Sequence, residues 1–219
     1  MNSSIFSLLV LAGIAIFLIL RLRSVLGTRE GYENPSATIH DRSTSNRREV
    51  EVIEGGPDRD ITDHVEDGSE SAKALAAMKM AEPGFSVSEF LGGARAAYEM
   101  ILMAFERGDA AELEPFLAED VLETFVSVID QRADQGLSIE ANFVGVRELT
   151  LHEATFDRDS GEAEITVKFV GELTSVVRDS DNEIVEGDPN EIKRQRDVWT
   201  FARVMGSDNP NWRLVATGG

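Results

Sequence analysis

Apolar and polar positions change their period several times along this chain, and each change predicts an element. Ile5–Leu20 (IFSLLVLAGIAIFLIL) is an uncharged apolar run that ends abruptly at Arg21-Leu22-Arg23. At ~1.5 Å per residue the run and its flanks can cross a hydrocarbon layer ~30 Å thick, where only a helix satisfies its own backbone. Met1–Ser4 carries no basic side chain, and two arginines separate the run from Gly27. A cleaved signal peptide would want charge before the run and small residues directly after it. A buried soluble helix would show a polar stripe, and none is present. The pattern predicts a retained single-pass anchor. By the positive-inside rule, Arg21, Arg23 and Arg29 put the amino terminus outside and the rest of the chain on the cytoplasmic side.

From Ser24 to Ser71 the periodicity disappears into Ser, Thr, Asn, Asp, Glu and Arg, with Gly31, Pro35, Gly55-Gly56-Pro57 and Gly68 as breakers. This composition predicts a charged, disordered tether. Ala72–Glu82 then reads as a helix by propensity, closed by Pro83-Gly84, with Leu75 and Met78 to pack against the domain. Ser86-Val-Ser-Glu89 is a capping box with Phe85 placed to staple the first turn. Val87, Phe90, Leu91, Ala94, Tyr98, Ile101, Leu102 and Phe105 recur at three and four, giving one apolar helix face that stops at Gly108. Asp109-Ala-Ala-Glu112 caps a short second helix cut off near Pro115, and Val121 to Ile129 builds a third that ends at Gly136.

Beyond Gly136 the period drops to two. Phe143–Phe156 is a strand whose phase slips near Gly145, and Ala163–Leu173 alternates cleanly. Arg178–Asn190 reads as a polar loop, and Val198–Met205 and Trp212–Ala216 are the last strands. Helices followed by an antiparallel meander define an α+β fold, with helices on one face of a curved four-stranded sheet. The expected division is 1–23 anchor, 24–71 tether and 72–219 domain.

Composition narrows the chemistry. The chain has no cysteine, which excludes disulfides and thiolate zinc sites. A net charge of −19 argues against nucleic acid, whose phosphates need a basic surface, and would repel anionic lipid headgroups. Asp157-x-Asp159-x-Gly161 and Asp179-x-Asp181-x-Glu183 superficially resemble calcium loops. Both lack the full ligand set and fall where a strand connection is due, so they read as turns. His40, His64 and His152 have no ligand spacing, and no nucleophile triad or phosphate loop occurs. No catalytic, cofactor or metal residue is assigned. The expected inward positions, Phe125, Phe143, Phe169, Trp199 and Phe201, are all apolar and mark a candidate pocket or partner face.

Phe85–Ala94, Tyr98-Glu99, Ala104-Phe105-x-x-Gly108-Asp109, Ile184–Pro189, Val198–Arg203 and Pro210–Gly218 stand in an order that resembles the Tim44-like domain family. A single span ahead of the domain is similar to the TimA-type adaptors of alphaproteobacteria. The resemblance implies a nuclear transport factor two-like cone, no enzymatic activity and a scaffold role at an inner membrane. It also implies protein partners drawn from translocation machinery or a chaperone, although Ser24–Ser71 carries nothing matching a chaperone-recruiting region. Two other functions are open to such a cone: carriage of a lipid or small apolar ligand, and isomerase- or dehydratase-like catalysis, which needs a buried ionisable group.

Overall fold

The computed structural model describes residues 58–218. Ile5–Leu20, Arg21, Arg23, Arg29 and most of the expected tether lie outside the described residues. Among the described residues, no helix is long and apolar enough to cross a membrane.

Helices α1 (Arg59–Thr62), α2 (Glu70–Ala81), α3 (Val87–Arg107), α4 (Ala110–Leu113) and α5 (Glu119–Asp134) come first. Strands β1 (Ser138–Phe156), β2 (Glu162–Arg178), β3 (Ile184–Gly187), β4 (Lys193–Val204) and β5 (Arg213–Gly218) follow. The four long strands form an antiparallel sheet in the order β1-β2-β4-β5, so the α+β order is the one the periodicities predict. The added strand, β3, pairs with the far end of β2 within the segment expected as a loop. β1 starts five residues before Phe143, because Ser138–Asn142 pairs with Thr174–Arg178 although its own pattern is polar. The phase slip near Gly145 is a real register shift, one of three in β1.

The serine half of the expected capping box forms: Ser86 Oγ accepts the Glu89 N–H at 3.3 Å. The α3 residues at three-and-four spacing bury Val87, Phe90, Leu91, Ala94, Tyr98, Ile101 and Leu102 against the inner sheet face. That face is Ala163, Ile165, Val167 and Phe169 of β2 with Trp199 and Phe201 of β4. Leu75 and Met78 of α2 are fully buried in the same core. At ~25 cal/mol per Å² of apolar surface, burial of such side chains is the main favourable term in this fold.

The folded unit reaches further toward the amino terminus than its composition suggests. Asp58–Ser71, expected as tether, is fixed by long-range polar contacts that no local pattern reveals. Asp58 caps α1 by accepting the Asp60 N–H at 3.0 Å, and Ile61 is buried. The Asp60 carboxylate accepts the Val87 and Ser88 N–H groups at 2.8 and 2.9 Å, at the start of α3, and pairs with Lys79 at 2.8 Å. It therefore neutralises the exposed donors and the positive dipole end of α3 while strapping α1 to it.

Burial alone would raise the Asp60 carboxyl, but hydrogen bonds from Lys79, Ser88 and Val87 outweigh it and hold the group far below the usual carboxylate range. A depressed folded pKa contributes stability that is present above the unfolded value of about 4 and is lost as pH falls through the folded one. Asp60→Asn is expected to lower the unfolding free energy at pH 7 by about 1–2 kcal/mol. Urea melts at a series of pH values should show this difference shrinking below pH ~4.

Candidate functional site

The centre of the domain is a contact between α3 and the β2–β4 pair. Tyr98 is fully buried, and its ring stacks on Phe169 at 4.5 Å between centroids with an 8° interplanar angle. Trp199 lies 4.7 Å away and Phe143 6.2 Å away. This approach requires glycine beneath it: a Cβ on Gly171 would fall 2.7 Å from the Tyr98 hydroxyl and 2.9 Å from its ring. The hydroxyl donates to Asp197 Oδ2 at 2.6 Å, and Gln195 Nε2 donates to Oδ1 at 3.1 Å. Burial pushes the Asp197 carboxyl up, and the hydrogen bonds from Tyr98 and Gln195 offset only part of that rise. The Tyr98 hydroxyl is also pushed up, by burial first and then by Asp197. Both carboxylate oxygens are engaged, so the pair acts as a polar clasp between helix and sheet rather than as a free base.

About two helical turns further along, Glu106 is half-buried, and burial pushes its carboxyl up against the opposing pull of Arg132 and Lys193. Arg132, from the last turn of α5, donates through Nη2 to the Phe105 carbonyl at 2.5 Å, and its guanidinium lies 4.6 Å from the Phe105 ring centre. Phe125 meets Phe105 at 4.8 Å. Arg132 thus clips α5 to the carboxyl end of α3. Of the α5 residues, Val121 alone is buried, and Leu122, Phe125 and Ile129 pack partly buried against the core along one face of the helix.

A groove of about 740 Å³ runs along the opposite flank of α3. Phe85, Phe90, Ala97, Met100, Phe116 and Trp212 form its apolar wall, with Glu82 and Arg203 at one end. Phe90 packs edge-on to Trp212 at 4.7 Å. The Arg203 side chain is only 8% exposed; it pairs with Glu82, donates to the Pro210 carbonyl at 3.0 Å and lies over Trp212 at 5.5 Å. Hydrogen bonds from Arg203 and the Gly206 N–H hold the Glu82 carboxyl below its usual range.

The residues expected to face one pocket divide between two places. Phe169, Trp199 and Phe201 are core residues, Phe125 and Phe143 are half-buried around Tyr98 and Phe105, and of the five Phe201 alone reaches the groove. The interior is not wholly apolar as the alternation suggests, since Tyr98, Asp197 and Glu106 bring polar atoms into it. Asp197 stands in phase with Trp199 and Phe201, and that phase was the available signal. In the two acidic turns, Asp157 accepts the Asp159 N–H at 2.8 Å, and Asp179 accepts those of Asp181 and Glu183, each at 3.0 Å. These carboxylates complete Asx turns.

A helix-first α+β domain whose long third helix lies on an antiparallel meander defines the class. The Tim44-like domain family matches residues 71–219, and the chain belongs to that family. It is 24% identical over 152 residues to mitochondrial import inner membrane translocase subunit TIM44-1 of Arabidopsis thaliana, covering 67% of this chain and 32% of that protein. Against subunit TIM44 of Homo sapiens it is 26% identical over 167 residues, covering 72% and 36%. The chain thus spans about a third of the length of these relatives. The intermembrane space region of the chloroplast protein ARC6 aligns with a TM-score of 0.40 at 12% identity, over 58% of this chain and 94% of that one.

Gly171→Ala is expected to destabilise the domain by about 1–3 kcal/mol through overpacking against Tyr98. Tyr98→Phe removes a buried donor from Asp197 at a cost of about 1–3 kcal/mol. Because Tyr98→Phe also deletes the atom nearest the new methyl, denaturant melts of the double variant should show a loss smaller than the sum.

Proposed function

We propose that this chain is a membrane-anchored, non-enzymatic adaptor in which residues 1–23 form a single inner-membrane span. A flexible tether from Ser24 leads to a nuclear transport factor two-like cone that holds a protein partner on the cytoplasmic side. The observation that carries this reading is the apolar run Ile5–Leu20, closed by Arg21 and Arg23, ahead of a Tim44-like domain. Two further facts support it. The relatives are named as subunits of an inner-membrane translocase. One of the half-buried carboxylates, Asp197, is occupied by Tyr98 and Gln195. Translocation machinery or a chaperone is the partner class that the relatives' names suggest.

A second reading, carriage of a lipid or small apolar ligand, is favoured by the groove beside α3 and its aromatic wall. Native mass spectrometry after gentle extraction separates the two: a carrier brings an added mass, and an adaptor flies without one.

For the anchor, membranes washed in alkaline carbonate should retain the full chain and release a variant lacking residues 1–23. A tag after Gly219 should resist protease in right-side-out vesicles and be cut in inverted ones. Release of the full chain by carbonate, or a tag cut from outside, would contradict the anchor or its orientation.

A further inference from the structure

Arg178–Asn190 reads in the sequence as a polar loop, yet this stretch and the two residues after it expose aliphatic side chains. Ile184 is 43% exposed, Val185 49% and Ile192 54%, three of the eight large exposed hydrophobics among the described residues. Ile184 and Val185 are adjacent in β3, so they stand on opposite faces of the strand. β3 pairs with β2 along one edge and with no other strand among the described residues. Gly187 fixes it there with φ +89°, close against the Ser175 carbonyl and the Val176 backbone, where a Cβ would collide. The result is a held edge strand rather than a drifting loop.

Its charge is one-sided. Asp179, Asp181, Glu183, Glu186, Asp188 and Glu191 fall in this segment, with no Lys or Arg among them. None of the six forms an ion pair among the described residues; of the two cations that flank the segment in sequence, Arg178 is paired with Glu140, and Lys193 follows Ile192. Acidic side chains on an open edge keep out a second copy of an acidic chain and an anionic lipid surface. Aliphatic side chains between unpaired carboxylates favour a different occupant.

We propose that β3 is a docking edge for an extended segment of a partner protein in which Lys or Arg alternates with aliphatic residues. The segment adds to the free side of β3, with its aliphatics on the face that carries Ile184 and its cations on the opposite face beside Glu183, where their alkyl stems lie on Val185. This deepens the adaptor reading and rests on it, since it names the surface on which that adaptor holds its partner.

The test uses the full chain in a neutral detergent and a labelled peptide, Lys-Val-Lys-Ile-Lys-Val-Lys, followed by fluorescence anisotropy. One control peptide replaces Lys by Glu, and another replaces the aliphatics by Gly and Ser. The first peptide should bind, weaken with added salt, and lose about tenfold in affinity to an Ile184→Ser/Val185→Ser variant and to a Glu183→Gln/Glu186→Gln/Glu191→Gln variant. Both controls should bind far more weakly. These side chains are exposed, and unchanged melting curves establish that the variants fold. The proposal is overturned by unaltered binding to the variants, by equal binding of the peptide without aliphatics, by no binding at about 1 mM peptide, or by self-association through β3. Crosslinking in membranes separates the two ideas. A partner that needs the domain but not the β3 side chains sinks the docking edge and leaves the adaptor standing, whereas absence of any domain-dependent partner sinks the adaptor itself.

Discussion

The seating of Tyr98 on the inner sheet face determines how everything else in this domain is arranged. A phenol ring lies flat on Phe169, the backbone of Gly171 lies beneath it, and the hydroxyl ends on Asp197. The apolar part of this contact supplies attraction without direction, and the ring stack and hydrogen bond supply the direction. Together they fix the axial position and rotation of α3 relative to β2 and β4. A one-residue slip of β2 would turn Gly171 away and put Val170 or Glu172 under the ring, and a slip of β4 would turn Asp197 away from the hydroxyl.

Around that contact the helices have unequal support. The amino end of α3 is held twice, by its own Ser86 cap and by the carboxylate of Asp60 from α1. Its carboxyl end is held by Arg132 of α5. α2 shares the buried core through Leu75 and Met78, while α5 touches the sheet chiefly where its leading residues meet β5, with Ala118 N–H donating to the Leu214 carbonyl at 2.9 Å. Firmness is therefore concentrated in α3, β2 and β4, and the lighter elements, α5 and β3, sit at the margins. That division suits the adaptor role proposed above, in which a rigid centre would keep the surface in place while marginal elements adjust to a partner.

Strong local period was legible in the sequence. The apolar face of α3, the caps at Ser86 and Asp109, and the alternation of Ala163 to Leu173 all lie where the pattern puts them, because each is set by neighbours three, four or two residues away. Three features were not legible, and each depends on distant partners. Asp58–Ser71 is ordered by Lys79 and the start of α3; Ser138–Asn142 is a strand because the end of β2 lies beside it; and β3 is held by the backbone of Ser175 and Val176. The polar interior was missed for another reason. Asp197 lies in the inward phase of β4, but a carboxylate there makes sense only once a tyrosine from a helix 99 residues earlier arrives to bond it.

Native-state hydrogen exchange by residue tests this account most directly. If the Tyr98 contact organises the domain, the amides of Tyr98–Leu102, of Val167–Gly171 and of Asp197–Phe201 should exchange only through global unfolding. Those of α5 and β3 should then open at lower free energy. Exchange of the Tyr98 turn at a free energy equal to or below that of α5 would contradict the account, and the seat of the fold would have to be sought elsewhere.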